Sequence, residues 1–170
     1  VIIYRYINLS DVDRLQELLL ESKLYFPRPS EFNDPFEFKP KRIAMEAVDI
    51  DQEIVETDVD PSLDQAYRLI CVELDKFGVC CFSESCSNIN MWSHYAERHS
   101  GACVGFETGD DFFKDLQRVD YEYERHDFDL RNDVQEDIVR KVMLRKYESW
   151  INEQEWRLLR KPGGEPVSFN

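Results

Sequence analysis

The residues able to do chemistry fall in four short stretches. Glu153 and Glu155 stand one residue apart at the entrance of a strand-like run, Ile151 to Lys161. Such carboxylates can act as general acid and base, or simply pair with Arg157, Arg160 or Lys146 across neighbouring strands. The stretch Cys81 to Gly101 (CFSESCSNINMWSHYAERHSG) places Ser83 after an apolar run, then Trp92, Ser93, His94 and Tyr95 after a polar loop. A histidine beside such a loop is a candidate proton-transfer group. Joined with Cys86 or Ser93 it would read as a nucleophilic hydrolase, although no Gly-x-Ser-x-Gly elbow supports that. Arg5 lies between Tyr4 and Tyr6, either as an edge residue reaching solvent or as a buried cation held for an anion. Asn33 and Asp34 begin a turn that Phe32, Phe36 and Phe38 pin to the body. Asn33, Asp34, His94 and Arg157 would together line a polar pocket that senses a small ligand or docks a partner. The spacing Asp34, Glu37, Lys39 is shared superficially with metal-dependent nucleases, whose carboxylates come from adjoining strands that a turn does not supply.

The elements that must position these residues follow from periodicity. Val79 to Phe82 and Ala102 to Phe106 read as buried strands. Between them a short helix, capped by Asn90 and stopped by Gly101, carries Met91, Trp92, Tyr95 and Ala96 on one side. Val1 to Ile7 alternates as a strand with Ile3, Arg5 and Ile7 on one face and Tyr4 and Tyr6 on the other. Asn8 to Lys23 is an amphipathic helix with Ser10 as its cap and Val12, Leu15, Leu18 and Leu19 as its buried stripe. Leu24 to Phe26 is a short strand ended by prolines. Residues 41–61 form an acidic excursion, followed by a helix from Ser62 to Leu74. Gly109 to Leu116 reads as a short helix, Arg118 to Glu124 as an antiparallel strand and Asp127 to Tyr147 as a long helix.

The mixture lacks a regular strand–helix–strand rhythm. It predicts an α+β class, a single domain over residues 1–170 with small mixed and antiparallel sheets packed against several helices. A net charge of −14 argues against a surface that grips phosphate backbones. No apolar run approaches the roughly 20 residues needed to cross a bilayer, so no membrane partner is expected and the cytoplasm is the default location. The five cysteines form no Cys-x-x-Cys pair and no zinc-finger spacing, so no metal is expected. The final residues, Pro166 to Phe169, begin a pattern that the sequence abandons, which suggests that the full protein continues.

Four blocks carry a family resemblance: Tyr4-Arg5-Tyr6, Phe32 to Glu37 (FNDPFE), Cys81 to Gly101, and Trp150 to Arg157 (WINEQEWR). In this order the chain resembles a family of uncharacterised bacterial proteins defined as a domain of unknown function. A remoter resemblance, at the level of element order, is to the ADP-ribosyltransferase fold. It implies an NAD-consuming toxin or defence effector, with NAD as substrate and an unspecified protein or nucleic-acid acceptor. In that reading Glu155 stabilises the oxocarbenium-like state formed when the nicotinamide–ribose bond breaks. Glu153, on the same strand face, orients or deprotonates the nucleophile. Arg5 holds a phosphate or ribose, Ser83 braces the strands, and Tyr4, Tyr95 or Trp92 stacks on a flat ring. The middle motif departs from the pattern, since Phe82-Ser83-Glu84-Ser85 stands where Ser-Thr-Ser is familiar. The alternative is a non-catalytic binding module for a small molecule or partner.

Overall fold

Nine strands and four α-helices form an α+β architecture in a computed structural model that describes residues 1–32, 34, 37–39, 61–123 and 135–169, and of residues 61–63 and 135–137 only the backbone. They are β1 (Ile2–Ile7), α1 (Val12–Glu21), β2 (Lys23–Phe26), α2 (Pro61–Leu74), β3 (Gly78–Ser83), α3 (Ile89–Tyr95) and β4 (Ala102–Glu107). The second half adds β5 (Gln117–Arg118), β6 (Asp120–Glu122), α4 (Gln135–Met143), β7 (Arg145–Tyr147), β8 (Glu155–Arg160) and β9 (Glu165–Ser168). The main sheet has the order β4-β1-β3-β8-β5, and β2 pairs with β9 and β6 with β7 in two small sheets. The residues named for the acidic excursion, the turn residues Asn33 and Phe36, and the first part of the helix expected from Asp127 lie outside the described residues. Among the described residues no helix is long and apolar enough to cross a membrane.

Strand alternation divides the packing. Ile3, Cys80, Phe82, Phe106 and Leu158 meet Leu18, Leu24, Phe26 and Phe113 on one face. Val79 meets Phe38, Ile70, Leu74, Ile138, Val142 and Met143 on the other, and a smaller cluster of Tyr6, Met91 and Ala96 seats α3. The sheet is continuous except at its middle. β1 pairs with β4 from Ile2 to Ile7 and β3 with β8 from Gly78 to Ser83. β1 and β3 register only at Tyr4–Ser83. Beyond that pair the Val79 N–H donates instead to Pro27 O, 2.9 Å away, so the segment after β2 replaces β1 as the neighbour of β3.

Several elements differ from their sequence expectations for identifiable reasons. Asp11, not Ser10, caps α1, its carboxylate accepting the Arg14 N–H, and Ser22 closes the helix at φ 50°. Of the expected stripe only Leu18 is buried; Leu15 is half-buried, and Val12 and Leu19 are exposed because the short helix leans on β2 along a narrow line. Asn88, not Asn90, caps α3, accepting from the Asn90 and Met91 N–H groups. The helix expected to run to Tyr147 ends at Met143, because β7 forms a ladder with β6 that is parallel. The strand expected from Arg118 to Glu124 is accordingly split into β5 and β6. Gly109 to Leu116 contains only a 3-10 turn, Asp111–Phe113, capped by Asp110. A further 3-10 turn, Glu148–Glu153, precedes β8 and ends at Gln154 with φ 46°. Glu153 therefore does not share a strand face with Glu155. The final residues are not an abandoned pattern but β9, paired with β2.

Gly163 closes the turn between β8 and β9 against the Phe77 carbonyl, where an added Cβ would lie 2.2 Å from the oxygen. Backbone cannot yield as a side chain can. Gly163→Ala is expected to lower unfolding free energy by at least about 2 kcal/mol in urea denaturation.

Candidate functional site

Alternation on β8 turns Glu155 and Arg157 to the same side of the sheet, and β7 brings Lys146 beside them. Arg157 has no exposed surface. Its five N–H groups are nevertheless all engaged. Nε donates to Glu155 Oε1 (2.7 Å), Nη1 to the carbonyls of Met143 (2.7 Å) and Arg145 (3.4 Å), and Nη2 to Glu155 Oε2 (3.1 Å) and to Glu37 Oε1. The guanidinium also lies 4.6 Å from the centre of the Phe38 ring. Lys146 Nζ donates to Glu153 Oε2 (2.6 Å) and Glu155 Oε2 (2.9 Å) and lies 3.6 Å from Glu37 Oε1. Two cations and three carboxylates are thus packed together, with the excess charge negative.

Burial and pairing shift the protonation of this group in opposite directions. Burial works to raise the Glu155 pKa, but Arg157 and Lys146 outweigh it and bring the carboxyl down to about 2 from 4.5. Glu37 moves upward, because burial prevails there over the attraction of the same two cations. Burial opposes the charged form of Lys146 and of Arg157, and the adjacent carboxylates, Glu155 foremost, raise both above their ordinary values. The phenols at the rim are pushed up chiefly by burial, Tyr121 to about 12 and Tyr95 further.

A cavity of about 190 Å³ opens above this cluster, where β1 leaves β3. Tyr4, Arg5, Tyr95, Lys146, Glu153 and Glu155 all line it. Arg5 points by register to the face opposite Tyr4 and Glu155, yet it reaches the cavity because the strands part there, and its guanidinium contacts Cys80 Sγ. Tyr95 Oη donates to Glu153 Oε1 (2.9 Å). Glu153 is held from behind, since the buried Ser83 Oγ donates to its carbonyl oxygen at 2.7 Å. Ser83 itself does not line the cavity; it fixes the turn that presents the carboxylate.

The two carboxylates differ in what remains available. A carboxylate offers about four acceptor positions. Glu155 takes two bonds from Arg157 and one from Lys146. Glu153 takes one from Tyr95 and one from Lys146, which leaves it able to accept from a ligand.

The remaining candidates lie elsewhere. His94 is exposed and lines a separate cleft of about 260 Å³ with Asn90, Ser149, Trp150, Asn152 and Glu153. Trp92 donates Nε1 to the Cys86 carbonyl (2.9 Å) and packs edge-on against Tyr6, which makes it a strut for the loop before α3. Asp34 is half-buried near Glu37, without lining the cavity, and Asn33 lies outside the described residues. A pocket built jointly from Asp34, His94 and Arg157 is not what the structure assembles. Cys81 and Tyr121 were absent from the sequence candidates; Glu37 was noted only for its spacing with Asp34 and Lys39, and Lys146 only as a pairing partner of Glu153 and Glu155, a pairing the structure forms. The pinned turn around Phe38 was a signal for Glu37, whereas nothing local marks Lys146.

Residues 91–158 match the model of a family described as "Protein of unknown function (DUF2971)". The resemblance to a domain-of-unknown-function family therefore holds over a span that includes Tyr95, Lys146, Glu153, Glu155 and Arg157. No curated protein and no solved structure matches the chain.

The depressed Glu155 pKa stabilises the fold fully above about pH 4.5, and that contribution is lost as pH falls toward about 2. Glu37 acts with the opposite sign, taking up a proton in the fold before it does so in the unfolded chain. Unfolding in urea is expected to show a loss on the order of 3 kcal/mol across the lower window. Glu155→Gln should flatten that slope and cost roughly 3–5 kcal/mol near pH 7, because it leaves Arg157 buried without its full counter-charge. A variant that keeps the wild-type slope would remove Glu155 from this role.

Proposed function

We propose that the cavity binds the nicotinamide–ribose end of NAD and that the protein is an NAD-consuming enzyme related in chemistry to ADP-ribosyltransferases. The observation that carries this reading is the convergence of Glu153, Glu155, Arg5, Tyr4 and Tyr95 on one small cavity with an anionic floor. At about 190 Å³ it suits a ring and a sugar rather than a whole dinucleotide. The nicotinamide ring in NAD carries a positive charge, and so does the oxocarbenium-like sugar formed as it departs. Three carboxylates around two cations favour both.

The division of work follows from the hydrogen bonds. Glu155, held by three bonds from its neighbours, supplies fixed negative charge and holds Lys146 in place. Glu153, with acceptor positions remaining, faces the sugar or the incoming nucleophile. As the C1′–N bond breaks, its electron pair leaves with nicotinamide. A nucleophile O–H forms the new C1′–O bond and gives its proton to the Glu153 carboxylate. Tyr4 and Tyr95 offer flat surfaces to the ring, and Arg5 faces the ribose or the adjoining phosphate.

The commitment of Glu155 to Arg157 and Lys146 favours a second reading, a binding module in which the same cavity holds a small cationic ligand without turning it over. One experiment separates the two. NAD is titrated against heat stability while released nicotinamide is measured by chromatography, with Arg5→Ala and Glu153→Gln alongside. The enzyme reading expects a saturable rise in Tm that Arg5→Ala abolishes. It also expects nicotinamide release to fall by about 100-fold or more in Glu153→Gln while that protein still binds NAD. Binding without release would leave the module; no shift at millimolar NAD would dismiss NAD for both.

A further inference from the structure

The alternation that turns Lys146 and Glu155 toward one cavity turns Arg145 and Trp156 toward another, at the β5 edge of the sheet. This second cleft holds about 450 Å³, within the size range of small-molecule sites. Its lining is unusual for a chain of net charge −14. Arg118, Arg140, Lys141 and Arg145 surround it, against one acid, Asp120. Leu116, Leu144 and Trp156 supply an apolar wall.

The cations are not equally committed. Arg118 is paired with Glu84 at 3.1 Å, and Glu84 also accepts from Trp156 Nε1. Arg140 bonds only a neutral amide oxygen among the described residues, Gln117 Oε1 at 2.6 Å. Arg145 directs Nε to Glu122 at 3.2 Å, an acid that does not line the cleft. Arg140, exposed on α4 beside Lys141, therefore offers the least committed guanidinium at the cleft. Cations focused in a cleft raise the local concentration of anions even on an acidic protein.

We propose that this cleft binds a small phosphorylated molecule of the nucleotide class, with its phosphate on Arg140, Lys141 and Arg145 and its flat part against Trp156. Guanidinium groups match phosphate oxygens in geometry as well as charge. The overall negative charge repels an extended polyanion, which limits the ligand to something the cleft can enclose. The site is separate from the cavity assigned to nicotinamide–ribose and does not rest on that assignment.

Calorimetric titration of the 170-residue chain with ADP, inorganic phosphate and adenosine at low ionic strength tests it. The probes are run on the wild type, on Arg140→Ala with Lys141→Ala, and on Arg5→Ala. Arg140 and Lys141 are exposed, so the double variant is expected to fold as the wild type does, which circular dichroism checks. ADP should bind saturably, weaken as salt is raised, and lose at least about tenfold in affinity in the double variant while Arg5→Ala leaves it unchanged. Inorganic phosphate should compete weakly and adenosine should not bind. Three outcomes would overturn the proposal: no saturable ADP binding, binding abolished by Arg5→Ala but kept by the double variant, or adenosine binding as tightly as ADP. The second of these would move the phosphates to the NAD cavity and leave the reading of that cavity standing.

Discussion

A guanidinium with no exposed surface must find every one of its acceptors inside the protein, and Arg157 sets that demand for this fold. Its five N–H groups bring together a turn residue, a neighbour on its own strand and two carbonyls at the junction of α4 and β7. A buried ion pair is rarely a net source of stability compared with apolar packing, but removing one partner is expensive. The arrangement is therefore better understood as a constraint on geometry. Glu155 faces inward because Arg157 needs it, Glu37 is drawn out of its turn for the same reason, and α4 stops where its last carbonyls can be used.

Lys146 extends this constraint to the cavity. Its ammonium bridges the carboxylate bound to Arg157 and the more open one, so the position of Glu153 is tied through a single side chain to the Arg157 centre. Ser83 and Tyr95 supply two more restraints, one on the Glu153 backbone and one on its side chain. Preorganised charge of this kind costs little to reorient when a ligand arrives. The aromatic wall is less tightly fixed: Tyr95 is 37% exposed and lies on the last turn of a short helix.

Much of the fold was legible because it depends on local pattern. Strand alternation placed β1, β3, β4 and most of β8, and the acid-x-acid spacing drew attention to Glu153 and Glu155. What failed was reading helical periodicity through residues that pair with distant partners. Arg145 falls at the helical spacing set by Ile138 and Val142, but a ladder with β6 takes Arg145 to Tyr147 into a strand. The same pairing carries Lys146, read in the sequence only as an ion-pair partner of the two glutamates, to the cavity. Glu153 and Glu155 were expected on one strand face; the left-handed Gln154 separates them, and a lysine from β7 reunites them. His94 drew notice for its place beside a polar loop and Trp92 for its helical spacing, and neither says which way a seven-residue helix faces.

The single register pair between β1 and β3 gives the sheet a seam, with β4 and β1 on one side and β3, β8 and β5 on the other. Side chains, among them Arg5 on Cys80 and Tyr6 on the Ser85 carbonyl, span it where backbone ladder bonds would otherwise run. A molecule seated in the seam acts as a removable rung. Its affinity and the cohesion of the two half-sheets are then one free energy seen from two directions, so anything that loosens the halves weakens binding by the same amount that binding would tighten them.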